Sequence, residues 1–293
     1  MKLRQLEVLQ EAVKTGSLRA AAESLGTSQP SLTVMIRNLE DELGAKLLNR
    51  SIKGVELTDI GKVVLRHSAS IFSQIHYMRD DVEAEKGSPS GKLSISVAPA
   101  ISLSILPSAI EKFSQRYPNV HLEITGKLLP EALDDLLNGS LDCVLGTPTE
   151  EVRRRALATP LIDIGIAIIT SVGNPILKSA EKPLSELSSE RWFTAGGSQH
   201  LRDFFESNGA TPPESFVNCN SFMAMLALIS ETGGYGLVPQ NFIETSFFPQ
   251  ISVVKTEQHP EPRSISIVTR KGSEPKRTLS YMIKCFQEVS MTA

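Results

Sequence analysis

A group of mostly short polar side chains between residues 28 and 37 suits recognition by hydrogen bonds. It consists of Ser28, Gln29, Pro30, Ser31, Thr33, Val34 and Arg37. Hydroxyl, amide and guanidinium groups can bind the base edges and phosphates of double-stranded DNA. A helix surface that binds nothing can have the same residue types, so the elements that position the group must decide between these two interpretations.

Those elements are predicted by hydrophobic periodicity and by helix caps. Apolar residues at helical spacing from Leu3 to Val13 predict one helix, and the alanine-rich stretch after Ser17 predicts a second, shorter helix. Ser28 is an N-cap candidate for a third helix, whose apolar stripe continues to Leu43. A short second helix, a turn and a third helix with exposed polar residues predict a helix-turn-helix.

A hairpin is predicted next, because two short apolar segments flank a turn at Lys53-Gly54. It would form the wing of a winged helix-turn-helix domain over residues 1–58. Arg50 and Lys53 near the tip are candidate phosphate contacts, and Arg19 on the second helix joins the same predicted surface. Cations on a hairpin are more often only solvated, and that alternative stays open.

A second group of candidate binding residues lies in the C-terminal two-thirds of the chain. From residue 92 onward, strand and helix patterns alternate, which predicts a parallel sheet with helices on its faces. We expect two α/β subdomains, residues 92–162 with 267–293 and residues 163–266. Ligands of such folds bind beyond the carboxyl ends of the strands. The residues expected there are Pro99, Ala100, Ser102, Lys127, Leu129, Thr147, Gly196, Gly197, Ser198 and Asn220.

The chemistry of this second group favours a negatively charged ligand. Free N–H groups and the helix dipole at helix N-termini both attract anions. The sequence therefore predicts a small organic anion as effector. Serine and asparagine at these positions are also ordinary helix caps, and Lys127 could be only a solvated side chain.

One long helix, residues 59–87, is predicted between the two parts, because no proline and only Gly61 interrupt the segment from Thr58 to Lys86. Heptad repeats predict that it pairs with a second copy, and docking on its own domain is the alternative. The predicted seam consists of Val64, Ser68, Ile71, Ile75, Met78 and Val82. Residues 88–91 are expected to be a hinge, followed by a regulatory domain over residues 92–293.

Other chemistries have little support. The sequence has no GxSxG motif, no Walker-type phosphate loop, and no histidine or cysteine spacing typical of a metal site, so we expect no enzyme, metal or cofactor. A redox sensor built on Cys143 and Cys219 is a minority alternative, since isolated cysteines in apolar strands usually only pack. The N-terminus lacks the apolar segment of a signal peptide, and no apolar run spans a membrane, so the cytoplasm is the expected location.

The ordered motifs of the N-terminal region resemble those of LysR-type transcriptional regulators. The resemblance is densest at residues 17–25, 28–33, 36–44 and 57–61, and it continues at Leu106-Pro107, Tyr117-Pro118, Leu141-Asp142 and residues 234–239. It implies a winged helix-turn-helix, a linker helix and a periplasmic-binding-protein-like α/β effector domain. It also implies operator DNA, a small-molecule effector and a homodimer or homotetramer, with RNA polymerase as a further candidate partner.

Overall fold

The computed structural model describes residues 1–51, 54–85, 91–179, 181–214, 216–219, 221–243, 248–272 and 274–291. The predicted DNA contact Lys53 and the predicted effector contact Asn220 lie outside the described residues. Of the predicted hinge at residues 88–91, only Gly91 is described.

The N-terminal domain has three helices and a hairpin, as predicted. They are α1 (Leu3–Thr15), α2 (Leu18–Ser24), α3 (Gln29–Leu43), β1 (Leu48–Ser51) and β2 (Gly54–Leu57). The Ser17 hydroxyl accepts hydrogen bonds from the N–H groups of Arg19 and Ala20, and the Ser28 hydroxyl accepts one from Ser31. Two helices therefore begin at the predicted caps. Leu9, Leu32, Ile36 and Leu39 are fully buried in the core that these elements share.

The long helix α4 (Asp59–Glu85) follows the hairpin directly. Val64 and Ile71 pack against the core of the DNA-binding domain, and the buried Ser68 hydroxyl accepts a hydrogen bond of 3.2 Å from Gln10 Nε2. This half of the predicted heptad seam is thus docked on its own domain, which corrects the expectation of one continuous seam. Met78 and Val82 in the other half are exposed.

The remaining elements build two sheets. The first part contributes β3 (Gly91–Val97), α5 (Pro99–Ser102), α6 (Leu106–Arg116), β4 (Val120–Thr125), α7 (Leu129–Leu137), β5 (Cys143–Gly146), α8 (Glu150–Arg155) and β6 (Ala156–Ile164). The second part contributes β7 (Ile166–Ser171), β8 (Trp192–Ala195), α9 (Gln199–Ser207), β9 (Phe216–Cys219), α10 (Phe222–Thr232), β10 (Tyr235–Pro239) and β11 (Ile251–Val253). The chain then returns to the first sheet with β12 (Arg263–Arg270) and ends in α11 (Arg277–Ser290).

Both sheets are mixed, which corrects the expectation of parallel sheets. The strand orders are β4-β3-β5-β12-β6 and β11-β7-β10-β8-β9. In the first sheet β3 is parallel to β4 and β5, but β12 is antiparallel to both of its neighbours. In the second sheet β7 is antiparallel to β10 and β11. The reversed strands are β12 in the first sheet and β7 in the second, and each is the first strand that the chain forms after it passes from one sheet to the other. The exact domain limits predicted from the sequence stay predictions.

Each sheet is covered by helices over a core of its own. Phe113 and Phe286 are fully buried between the first sheet and helices α6 and α11. Trp192 and Phe205 are fully buried in the second sheet's core, with ring centroids 5.3 Å apart. Burial of one such side chain contributes about 1.5–3 kcal/mol. Among the described helices, none is both long and apolar enough to cross a membrane.

Candidate DNA interface and effector crevice

The first two turns of α3 present the predicted DNA-binding face. Gln29, Pro30, Val34 and Arg37 are exposed, whereas Ser31 and Thr33 are half-buried. These exposed positions recur at helical spacing, so they lie on one side of the helix. The helix N-terminus adds N–H groups that attract phosphate. This face can contact base edges through Gln29 and Arg37, while the Ser28 hydroxyl is engaged as a helix cap.

The cations of this surface are held by exposed ion pairs. Arg19 Nε lies 3.3 Å from Glu23, and Arg37 Nε lies 3.8 Å from Asp41. Exposed pairs of this kind contribute about 0–1 kcal/mol, so a phosphate can replace the carboxylate at little cost. Arg50 lies at the end of β1, opposite Val55.

A buried carboxylate holds the wing against α3. Glu40 is 5% exposed, and one of its oxygens accepts the N–H groups of Leu47 and Leu48 at 2.9 and 3.3 Å, while the other accepts Lys46 Nζ at 2.8 Å. Burial alone would raise the pKa of Glu40, but these hydrogen bonds hold it below its ordinary value. Sequence reasoning missed this residue. The available signal was an acidic residue next to the buried Leu39.

The candidate effector residues of the first sheet lie at one edge. Pro99, Ala100 and Ser102 follow β3, and Thr147 follows β5. Because β3, β4 and β5 are adjacent and parallel, their carboxyl ends meet there. Three of the predicted residues are otherwise engaged. The first is Ser102, whose hydroxyl donates a 3.4 Å hydrogen bond to the Ala98 carbonyl. Leu129 is buried at 3% exposure in the core beside β5, and Lys127 Nζ lies 2.5 Å from an Asp135 carboxylate oxygen.

The candidate residues of the second sheet lie near this edge, and a ligand crevice between the two subdomains stays a prediction. Gly196, Gly197 and Ser198 connect β8 to α9, and Asn241 Nδ2 donates a 2.7 Å hydrogen bond to the Ala100 carbonyl in the other subdomain. A Cβ atom built on Gly196, whose φ is +77°, would lie 2.1 Å from Leu128 Cδ1. Leu128 therefore reaches from the first subdomain to the turn at residues 196–198 of the second, called the glycine turn below. Sequence reasoning named Leu129 and missed Leu128.

The glycine turn has fewer free N–H groups than predicted. The Asn218 side-chain oxygen accepts the N–H of Gly197 at 3.1 Å and the hydroxyl of Thr194 at 3.2 Å. The Gly196 N–H donates to the Cys219 carbonyl at 3.3 Å. The Ser198 hydroxyl, by contrast, makes no capping hydrogen bond to α9. Ser198 and the first N–H groups of α9 thus remain the polar features that can meet a ligand.

A cation lies near the same helix. Partial desolvation and the nearby Arg263 guanidinium lower the pKa of His200, and burial lowers the pKa of Arg263 itself. The Asp203 carboxylate raises the pKa of both His200 and Arg263, which offsets part of this lowering. Arg263 is the first residue of β12, at the point where the chain re-enters the first sheet. It was not among the sequence-derived candidates.

The surroundings of the cysteines bear on the alternative of a redox sensor. All three cysteines are buried free thiols, and burial raises the pKa values of Cys143 and Cys285. A raised pKa suppresses the thiolate, which is the reactive form. Within the described part of the chain, no three His, Cys, Asp or Glu side chains converge in a group that could hold a metal ion.

Comparison with known proteins agrees with this architecture. Residues 3–62 match the bacterial regulatory helix-turn-helix of the lysR family, and residues 86–290 match the LysR substrate binding domain. The chain is 31% identical over 281 residues to the RuBisCO operon transcriptional regulator of Allochromatium vinosum, covering 93% of this chain and 91% of that protein. It is 26% identical over 278 residues to the DNA-binding transcriptional dual regulator OxyR of Escherichia coli, covering 93% and 90%.

A solved structure shares the fold along the whole length. ArgP from Mycobacterium tuberculosis superposes with a TM-score of 0.77 at 17% identity, covering 98% of this chain and 96% of that one. The two family domains together span nearly all of the sequence. The chain therefore belongs to the LysR family of DNA-binding transcriptional regulators, with an N-terminal winged helix-turn-helix and a C-terminal effector-binding domain.

Proposed function

We propose that this regulator binds operator DNA as a homo-oligomer through α3 and the wing, and that a small organic anion in the crevice between the subdomains modulates this binding. The DNA contacts proposed are the ten residues named from the sequence. The proposal places the protein in the cytoplasm, where operator DNA and RNA polymerase are present, and assigns it no catalytic activity.

The exposed face at the start of α3 is the observation that supports the DNA contacts. It presents an amide at Gln29 and a guanidinium at Arg37, and α3 has no acidic residue in its first turn. The acidic residues of α3 lie in its last turns, at residues 40–42. The net charge of the whole chain is −3, so local charge and not bulk attraction must bring this face to DNA.

The Ser198 hydroxyl is the observation that supports the effector site. It lies half-buried at the N-terminus of α9 without capping that helix, next to the Gly196 position that Leu128 of the first subdomain reaches. In that subdomain Ser102 ends α5 after β3, and Thr147 follows β5. Arg263 adds positive charge near the same helix. Hydroxyls, helix N–H groups and a cation together favour a small carboxylate over a neutral ligand.

The name of one relative suggests a different signal. The OxyR-related proteins include a hydrogen peroxide-inducible genes activator of Escherichia coli, which is 26% identical to this chain. Peroxide sensing through sulfur needs an accessible thiolate. Cys143 and Cys285 are both buried and have raised pKa values, which favours the anion over peroxide as the signal.

A thermal-shift screen with short mono- and dicarboxylates tests the effector site. A carboxylate at about 100 times its Kd should stabilise the regulatory domain by about 2.7 kcal/mol. Ser198→Ala and Ser102→Ala should lose most of that shift, and Ser188→Ala, a serine on the other side of the second subdomain that hydrogen-bonds to the Thr211 carbonyl, should keep it. Because coupling is reciprocal, a bound operator duplex must change the affinity for the carboxylate by the factor by which the carboxylate changes affinity for DNA. Equal shifts in all three variants would contradict the crevice site.

A further inference from the structure

The linker helix α4 is attached to the regulatory domain through a buried polar cluster. Tyr77 on α4 is 6% exposed, and its hydroxyl donates a 2.8 Å hydrogen bond to Asp142 Oδ1 and accepts one from the Arg270 guanidinium. Lys276 Nζ lies 3.0 Å from the other carboxylate oxygen and 5.0 Å from the centre of the Tyr77 ring. These four residues, Tyr77, Asp142, Arg270 and Lys276, are called the Tyr77 cluster below.

The Tyr77 cluster joins parts of the sequence that are far apart. Asp142 precedes β5, Arg270 ends β12 and Lys276 precedes α11, so the regulatory domain supplies all three charges. The linker helix supplies only the Tyr77 hydroxyl and ring. Burial and the neighbouring carboxylate raise the pKa of Tyr77, so the hydroxyl keeps its proton and remains a donor.

The charges of the cluster are only partly balanced. The cluster contains two cations and one carboxylate. Asp142 pairs with Lys276 and also accepts the Ser94 N–H at 2.9 Å, whereas Arg270 is connected to this carboxylate only through the Tyr77 hydroxyl. Arg270 donates to the Leu136 and Leu141 carbonyls at 2.9 and 2.6 Å, so the negative end of α7 offsets part of the surplus positive charge. Arg270 Nε has no hydrogen-bond partner among the described residues. Lys276 Nζ also donates to the Lys92 carbonyl. In a buried network of this kind, removing one member leaves the others unsatisfied, so the docked arrangement depends on each member.

The turn at Gly139 packs closely against the linker helix beside the cluster. Ala69, Ser73 and Tyr77 recur every four residues on α4, and all three are buried. A Cβ atom on Gly139, whose φ is +83°, would lie 2.1 Å from the Ser73 hydroxyl oxygen. A side chain at residue 139 would have to displace the Ser73 hydroxyl, and the positive φ of Gly139 also favours glycine at this turn.

We propose that the Tyr77 cluster is a latch that holds the linker helix on the regulatory domain and thereby sets the geometry with which two DNA-binding domains meet an operator. The latch goes beyond the proposed effector site, and its geometric consequence rests on the proposed pairing of two chains. Tyr77 acts as a positioning residue, since it lies far from the DNA-binding face and connects α4 to strands of the sheet.

Tyr77→Phe in the full-length protein tests the latch directly. It removes one hydroxyl and keeps the ring, and amide hydrogen exchange over residues 69–79 should become about fivefold faster, as expected for one buried hydrogen bond. Tyr117→Phe is the matched control, because Tyr117 packs in the same subdomain against Phe113 and Tyr281, away from the latch. Ser73→Leu is the second variant. It forces the helix from the Gly139 turn and leaves the regulatory domain's own residues unchanged.

DNA spacing provides a readout that lost stability alone would not change. Duplexes are built from a half-site selected by the wild type from a random pool, with two copies separated by varied distances. The wild type should bind one spacing most tightly. Tyr77→Phe and Ser73→Leu should reduce the ratio of affinities for the best and the worst spacing by about fivefold. Both variants should keep the wild-type affinity for a single half-site. Tyr117→Phe should retain the preference.

The outcomes separate the latch from the proposed pairing. If both variants keep the wild-type exchange and the wild-type spacing preference, the latch is wrong. If exchange accelerates and the spacing preference is unchanged, the contact exists and its proposed role in DNA geometry is overturned. A wild type that is monomeric by light scattering contradicts the pairing, whereas the exchange measurement still decides whether the latch holds the helix.

Discussion

Gln29 and Arg37 lie on the same exposed side of α3, about two turns apart. Both side chains can form paired hydrogen bonds with a base, the amide with adenine and the guanidinium with guanine. Both side chains must be exposed to reach a base, because a buried amide would use its hydrogen-bonding groups on partners inside the domain. Val34 between them is 56% exposed and offers only an apolar contact, such as one to a thymine methyl group.

Gln29→Ala should reduce the preference for operator over random DNA by about 1–3 kcal/mol, because a lost base contact affects only the specific complex. Fluorescence anisotropy with a selected duplex and its scrambled counterpart, at one salt concentration, measures the difference. Gln74→Ala, which removes an exposed glutamine from α4, serves as the control. Equal loss of affinity for both duplexes would show that Gln29 touches phosphate instead.

At the scale of elements, the wing depends on one carboxylate of α3. Glu40 accepts two backbone N–H groups of the segment that leads into β1, so it fixes the angle between recognition helix and hairpin. Thr58 adds a second connection, since its hydroxyl donates to the Lys46 carbonyl at 2.7 Å and accepts the Gly61 N–H at 2.9 Å. The wing is thus attached at both of its ends.

Glu40→Gln should destabilise the DNA-binding domain by about 1–3 kcal/mol at neutral pH, because a buried charged acceptor of two N–H groups is weakened. The pKa of Glu40 is lowered in the folded state, so its contribution is present above the ordinary glutamate pKa and is lost as the pH falls through the lowered value. In urea unfolding at several pH values, the free energy of unfolding should therefore decrease less on acidification for the variant than for the wild type. Glu23→Gln, at an exposed pair, should behave like the wild type. Parallel pH curves for Glu40→Gln and the wild type would refute this role.

The linker helix has exposed apolar residues that only partly coincide with the heptad seam predicted from the sequence. Ile71 packs on its own DNA-binding domain, whereas Met78, Val82 and Val63 are 59%, 48% and 45% exposed. Charges at Ile71 would disturb folding as well as association. The exposed apolar residues are therefore better probes of pairing.

Met78→Glu combined with Val82→Glu should produce a smaller species in light scattering, because ionised carboxylates cannot be buried cheaply between two helices. Lys62→Glu places a carboxylate at an exposed position on the opposite side of the same helix, 16 residues before Met78, and should leave the mass unchanged. An unaltered mass in the double variant would move the interface to the regulatory domain.

At the scale of the whole molecule, the crevice and the Tyr77 cluster lie at opposite ends of the same elements. Asp142 precedes β5 and Thr147 follows it, so about 13 Å of strand separates the latch from the crevice. Helix α7 begins next to Leu128 at the candidate effector site. Its last turn contains Leu136, whose carbonyl accepts a hydrogen bond from Arg270. A ligand that displaced Leu128 would push on an element whose other end contacts the latch. Such a contiguous path is a physical route for coupling, and the reciprocal titration measures its strength.

The sequence by itself determined the features that depend on neighbours along the chain. Serine caps at Ser17 and Ser28, the polar start of α3 and the length of α4 are local, so spacing and capping rules predict them. The alternation of strands and helices also predicted two α/β subdomains. The family resemblance rests on the same local motifs.

Tertiary structure decided the features that join distant residues. Tyr77 and Asp142 are 65 positions apart, and Asn241 and Ala100 are 141 apart, so no periodicity connects them. Strand direction in the mixed sheets, the docking of Val64 and Ile71 on their own domain, and the insertion of Leu128 at Gly196 depend on how the chain crosses between sheets. The physical reason is that hydrogen bonds and packing act over a few ångströms in space, and only the folded chain determines which residues lie that close.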